Sequence, residues 1–130
     1  MNYTEQFDPP PHIVDNLLAL SEMVLQPLRD KLGVPITVTS GYRCERLNKR
    51  VKGARTSEHL SGQAADIKIH GYNSKEITNA IIELDLPFNQ VIEEFGIWVH
   101  VSHNSTPFNK KQALRAVKAN GRTHYLNFNN

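Results

Sequence analysis

Apolar residues first fall into register at Ile13, Leu17, Leu20, Val24 and Leu28, with Asp15, Asn16, Glu22 and Arg29 elsewhere in the run. Spacings of three and four predict an amphipathic helix. Pro11 suits its first turn, where a missing N–H costs nothing. Pro27 predicts a kink or break, and Gly33 followed by Pro35 predicts the end. Residues 1–10, polar and closing on prolines, read as an extended lead-in. The pattern then changes. Ile36-Thr37-Val38-Thr39 is a β-rich run stopped by Ser40-Gly41, a short basic helix is predicted over Glu45–Val51, and the segment Lys52–Gly62 is polar and turn-rich. Ala64–Ile69 alternates, with Ala65, Ile67 and Ile69 on one face and Ala64, Asp66 and Lys68 on the other.

Ser74 is the predicted N-cap of a second helix through Leu84, striped by Ile77, Ala80, Ile81 and Leu84. Gln90–Glu94 and Trp98–Ser102 flank Phe95-Gly96-Ile97, a three-residue connection with a central glycine that predicts a hairpin. A second hairpin is predicted where Ala113–Lys118 and Thr123–Phe128 flank Ala119-Asn120-Gly121-Arg122. The resulting fold class is α+β: a small, largely antiparallel sheet with two main helices and a short third.

Composition narrows the function classes. At 130 residues the chain is one domain's worth, and 39% hydrophobic with 22% charged residues is ordinary for a folded domain. No apolar run is long enough to span a bilayer, so no membrane insertion is expected. The N-terminus lacks a basic region followed by an apolar stretch, so synthesis in the cytoplasm without a signal peptide is expected. The single cysteine, Cys44, excludes an internal disulfide or a cysteine-rich zinc site. The net charge of +2 is uneven: residues 107–130 carry Lys110, Lys111, Arg115, Lys118 and Arg122 with no acid, and Arg43–Arg55 holds a second basic cluster. Helix-turn-helix, zinc-finger and aromatic-platform signatures are absent, so nucleic acid is not the expected partner.

Three stretches concentrate possible metal ligands: Ser57-Glu58-His59, Ala65-Asp66 and Trp98-Val99-His100-Val101-Ser102-His103. A carboxylate and an imidazole in mid-strand need partners, because burying either alone costs roughly several kcal/mol. Two nitrogens and one oxygen around one ion, with a fourth position open, make the ligand set of a catalytic zinc site. Spacing alone leaves plainer alternatives open. Asp66 could pair with Lys68 or an arginine, a lone histidine is usually a hydrogen-bonded or surface residue, and Arg43 could be ordinary surface.

Ser40-Gly41-Tyr42-Arg43, Leu47-Asn48, Thr56–Asp66 and Trp98–Ser102 resemble the zinc D-alanyl-D-alanine carboxypeptidase family. That family includes the L-alanyl-D-glutamate endopeptidases of phage lysis systems and shares its fold with the hedgehog signalling domain. The pattern S-x-H-x-x-G-x-A-x-D with a later W-x-H carries the resemblance, which runs from the first helix to about Ser102. It implies a single zinc peptidase domain over 1–130, with zinc ligands His59, Asp66 and His100. It implies that Arg43 grips a substrate carboxylate and that Ser57 lines the site. Arginine suits that task, because its planar fork binds carboxylate bidentately and stays charged. The implied substrate is the D-amino-acid-containing peptide stem of peptidoglycan. The D-Ala-D-Ala carboxypeptidase type is favoured over the endopeptidase, and the protein is expected to be a monomer acting on the cell wall after phage-type release.

The chain departs from the family at one position. Many members carry a general-base carboxylate three residues before the last ligand histidine, where this chain has Ile97. The base must then be Glu93 or Glu94. With Phe95-Gly96-Ile97 as the loop, Glu94 lies opposite Trp98 and on the face of His100, which makes Glu94 the expected base; a one-residue slip would select Glu93 instead. The same departure leaves an alternative: a non-catalytic, zinc-containing cell-wall-binding module of this fold. The basic segment 107–130 either replaces part of an appended wall-binding domain or completes the sheet.

Overall fold

The stripe from Ile13 to Leu28 forms one helical rod with an irregular middle. The computed structural model describes residues 4–105 and 108–129, so Pro107 and Asn130, the ends of the predicted basic segment, lie outside the described residues. Helix α1 (Pro11–Leu20) runs into a π-helical turn at Ser21–Leu25 and on into α2 (Gln26–Leu32). Pro27 lacks an N–H and its ring crowds the carbonyl four residues back, and the wider turn just ahead of it accommodates both. The expected break is therefore a change of winding within a continuous rod. Gly33 ends the rod at φ 69°, in the left-handed region. The lead-in differs from the extended expectation over Thr4–Phe7, which form a 3₁₀ turn. The Gln6 side chain holds that turn down, donating to the Tyr42 carbonyl and accepting from the Cys44 N–H.

Six strands follow, β1 (Ile36–Ser40), β2 (Ala64–Ile69), β3 (Gln90–Glu94), β4 (Trp98–Ser102), β5 (Gln112–Ala119) and β6 (Arg122–Asn127), in the spatial order β1-β2-β4-β3-β5-β6. Every neighbouring pair is antiparallel except β3 with β5. The β3–β4 hairpin has the three-residue loop, with Glu94 paired to Trp98. The last hairpin is tighter than expected. Ala119 pairs with Arg122, and Asn120 and Gly121 turn alone with φ of 54° and 75°, the backbone that a two-residue Asn-Gly turn supplies.

Short helix α3 covers Glu45–Arg50, and α4 covers Ser74–Glu83. The α4 cap is Asn73 rather than Ser74. Asn73 accepts from the Glu76 N–H at 2.8 Å while Glu76 accepts from the Asn73 N–H at 2.9 Å, so both donors are satisfied reciprocally.

The helices cover one face of the sheet. Leu20, Val24 and Leu28 from the rod and Ile77 and Ile81 from α4 pack on Ala65, Ile67, Ile69, Val91, Val99 and Val101. Each buried aliphatic side chain contributes about 1.5–3 kcal/mol. Strand alternation then forces Ala64 and Asp66 of β2 and His100 of β4 onto the opposite face. Gly62 joins this core to the loop above that face. It holds φ 74° at the end of a 3₁₀ turn (Glu58–Ser61), and a Cβ there would lie 2.9 Å from both the Ile13 Cγ2 and the Ile13 carbonyl. Gly62→Ala should therefore destabilise the protein by about 2 kcal/mol or more, from backbone strain plus the clash with α1. Denaturant unfolding measures this, and a change below about 0.5 kcal/mol would show that the loop yields freely.

Candidate active site

The loop between β1 and β2 folds back over the open face through a few short hydrogen bonds. The Arg43 N–H donates to the His59 carbonyl at 2.9 Å, and the His59 N–H donates to Ser57 Oγ at 3.2 Å, so Ser57 caps the 3₁₀ turn. His59 Nδ1 lies 2.7 Å from the Gly41 carbonyl. A carbonyl oxygen can only accept, so Nδ1 carries the proton. This turns Nε2 toward the sheet, 3.2 Å from Asp66 Oδ1. His100 pairs directly with Asp66 across β2 and β4 and brings its Nδ1 to 3.2 Å from the same oxygen. His59 is 1% exposed and His100 9%, and their rings meet edge to face with centroids 5.1 Å apart.

The donor set fits zinc. One donor atom from each of His59, Asp66 and His100 lies within 4.8 Å of the others. Two donors each about 2.0–2.1 Å from a tetrahedral zinc lie about 3.3 Å apart, close to both observed separations. With Nδ1 of His59 committed to Gly41, its Nε2 can face a carboxylate only if a second proton or a shared cation lies between them.

Glu58, beside His59, is the residue that sequence reasoning missed. Its Oε1 lies 3.9 Å from His100 Nε2, on the far side of the ring from Asp66, and its Oε2 accepts from Asn89 Nδ2 at 3.0 Å. At that distance the contact is an ion pair rather than a hydrogen bond, and it falls on the nitrogen that would stay free if Nδ1 of His100 held a metal. Burial works against the Glu58 charge, but the polar groups around it, His100, Ser102 and Asn89, outweigh it and hold the carboxyl below its usual range. Burial likewise opposes the Asp66 charge, and the two imidazoles overcome it and hold that carboxyl well below its usual range. On His100, burial favours the neutral ring, yet Asp66 and Glu58 together push its pKa up to about 9. The signal for Glu58 was its place inside the S-x-H motif; that it would face His100, 42 residues on, was not visible.

A cleft of about 900 Å³ lies over these residues, lined also by Arg43, Ser57, Glu94 and Trp98. Arg43 Nη1 donates to Asn48 Oδ1 at 3.1 Å, and Asn48, itself buried, donates to the Ala54 carbonyl at 3.0 Å. Arg43 Nε has no partner among the described residues. Gly53 packs against this pair so closely that a Cβ there would collide with Asn48 Oδ1 and Arg43 Nη1. Burial raises the Glu94 pKa above the ordinary carboxylate value; Asp66 adds to the effect, while His100 and Arg43 oppose it. Glu93 is buried on the opposite face, where its carboxylate accepts from the Gly96 N–H at 3.1 Å. Ile97 is exposed in the hairpin loop. His103 is buried, with Nδ1 2.7 Å from the Pro87 carbonyl, and Cys44 is buried and free.

Comparison with known families places this geometry. The sequence profile described as Peptidase M15 matches residues 2–102, more than three quarters of the chain. The chain belongs to the peptidase M15 family. A search of curated proteins finds no match. As an M15 chain the protein is a metallopeptidase in its family's terms, and the His59, Asp66 and His100 group is where this M15 member could hold the metal on which the family depends. Strands β5 and β6 lie beyond the matched residues.

Zinc uptake should compete with the His100 proton. Raising the pH removes that proton, so apparent affinity should climb about tenfold per unit toward pH 9 and level off above it. Glu58→Gln should move the plateau to lower pH and reduce the plateau affinity by about 10–100-fold. Chelator competition across pH 6–10 checks both, and pH-independent uptake would exclude His100 as a ligand.

Proposed function

We propose that the protein hydrolyses the D-amino-acid-containing peptide stems of bacterial peptidoglycan as a zinc D-Ala-D-Ala carboxypeptidase. The observation that carries this reading is that Arg43, the His59, Asp66 and His100 donors and Glu94 all line one cleft. Arg43, backed by Asn48, takes the terminal carboxylate of the substrate and so fixes which peptide bond lies over the metal ligands. His59, Asp66 and His100 would hold zinc, which when bound would supply Lewis acidity for the scissile carbonyl and lower the pKa of water toward neutrality. Glu94 accepts the proton from the attacking water and delivers it to the departing amine, and its raised pKa suits both transfers. Ser57 lines the cleft and holds His59 in place. A usable carboxylate at Glu94 favours turnover over the non-catalytic wall-binding reading that Ile97 left open. Among the described residues no helix is long and apolar enough to cross a membrane. The substrate of this reading lies outside the cell membrane, and the proposal includes phage-type release at lysis.

Mass spectrometry of defined muropeptides after incubation with zinc-loaded protein tests the reading. Loss of a terminal D-alanine supports the carboxypeptidase, cleavage after L-alanine replaces it with the endopeptidase, and intact stems reject both. Glu94→Gln should keep zinc and fold while losing about 10²–10⁴-fold in rate, with Glu93→Gln mild by comparison. The reverse ranking in steady-state kinetics would move the base to Glu93. Arg43→Lys and Gly53→Ala should both retain zinc yet raise KM for stems with a free terminal carboxylate, the first by losing the fork and the second by displacing the Arg43–Asn48 pair. Unchanged KM in both would make Arg43 a surface residue.

A further inference from the structure

The cleft has a wall that the family match does not include. Across the sheet, Trp98 pairs with Glu94, Glu94 with Ala116, and Ala116 with Tyr125, so these four form one lateral row on the open face. Ala116 is fully buried in the middle of that row, and its methyl group is all that separates Glu94 from Tyr125 along it. Two residues further along β5, and so on the same face, stands Lys118, paired with Thr123; both line the cleft with Tyr125. The Lys118 ammonium lies 5.6 Å from the centroid of the Phe95 ring, which itself packs edge to face on Trp98 at 5.5 Å. Lys118 has no ion pair with any described residue, and the whole β5–β6 hairpin carries Arg115, Lys118 and Arg122 with no acid.

Strand order sets the direction of the cleft. Arg43 follows β1 at one side of the sheet, the metal donors of the sheet lie on β2 and β4, Glu94 lies on β3, and Lys118 and Tyr125 lie on β5 and β6. Strands sit about 4.8 Å apart, so His100 and Tyr125 are separated by about 14 Å of sheet, the span of about four extended residues. A substrate whose terminal carboxylate is held by Arg43 must therefore extend its acyl portion toward the hairpin.

We infer that the β5–β6 hairpin is the acyl-side wall of the substrate cleft, where Lys118 pairs with a second carboxylate of the peptide and the Tyr125 hydroxyl bonds the chain between Glu94 and Lys118. This rests on the peptidase reading and narrows it to peptides with an acidic residue on the acyl side of the scissile bond. An exposed ion pair is worth little, so the preference it gives is about three- to five-fold.

Trp98, the chain's one tryptophan, lines the cleft and reports binding by fluorescence. The probes are N-acetyl-Glu-Ala-D-Ala-D-Ala and its Gln counterpart, mixed with zinc-loaded protein by stopped flow, with D-alanine release measured separately. The wild type should bind the Glu peptide about three- to five-fold more tightly. Lys118→Ala should bind both alike, Lys118→Glu should prefer the Gln peptide, and Tyr125→Phe should weaken both equally. Lys118 and Tyr125 are exposed, so zinc content and melting temperature should be unchanged. A preference that persists in Lys118→Ala, equal binding by the wild type, or binding of neither peptide overturns the inference. Preferential binding without D-alanine release leaves the hairpin assignment standing and removes the carboxypeptidase.

Discussion

Asp66 Oδ1 lies 3.2 Å from a nitrogen of His59 and 3.2 Å from a nitrogen of His100, and both rings are almost wholly buried. An isolated buried carboxylate would cost roughly several kcal/mol, and so would an unmatched imidazolium beside it. The three groups are tolerable only together, which makes their mutual placement the constraint that the surrounding structure has to meet. Direct pairing of Asp66 with His100 across β2 and β4 meets one half of it. The other half needs a loop to return over the sheet. That return depends on the left-handed Gly62 pressed against Ile13 and on the bond from His59 Nδ1 to the Gly41 carbonyl.

Three carboxylates around this centre are driven in different directions by their surroundings. Asp66 and Glu58 face His100 from opposite sides and keep their charge against the pull of burial. Glu94, one strand over and with a carboxylate that accepts no hydrogen bond from any described residue, yields to burial and to the charge of Asp66, and its pKa rises. Environments that separate the pKa values of neighbouring acids separate their chemical tasks. Here the two tightly held charges suit the fixing of a metal and its ligand, while the raised one suits a proton that must move. Arg43 adds a cation whose fork is braced by Asn48 and given room by Gly53.

The two faces of the sheet divide the labour. Alternation along β2 and β4 places Ile67, Val99 and Val101 against the helices, which leaves Asp66 and His100 facing the cleft. The β3–β4 loop length carries this division one strand further. Because Glu94 pairs with Trp98 and Glu93 with Val99, Glu94 faces Asp66 and His100 and Glu93 faces away. The parallel addition of β5 then extends the same face to a basic hairpin.

Much of this was determined by residues close together in the chain. The 3.6-residue stripe of the rod, the alternation of β2, the glycine-centred β3–β4 loop and the S-x-H-x-x-G-x-A-x-D motif are local patterns, and the backbone geometry each requires is set by its own residues. Local pattern was less secure where two solutions lie close in energy, as with Asn73 against Ser74 for the α4 cap, or a wider turn against a break before Pro27. Only the tertiary structure decided that Glu58 stands against His100, that Gly53 makes room for Arg43 and Asn48, and that Lys118 and Tyr125 share a cleft with Glu94. Those relations depend on strand order and on the path of a loop. Both are settled by which surfaces the whole chain can bury at once, and no stretch of sequence carries that information alone.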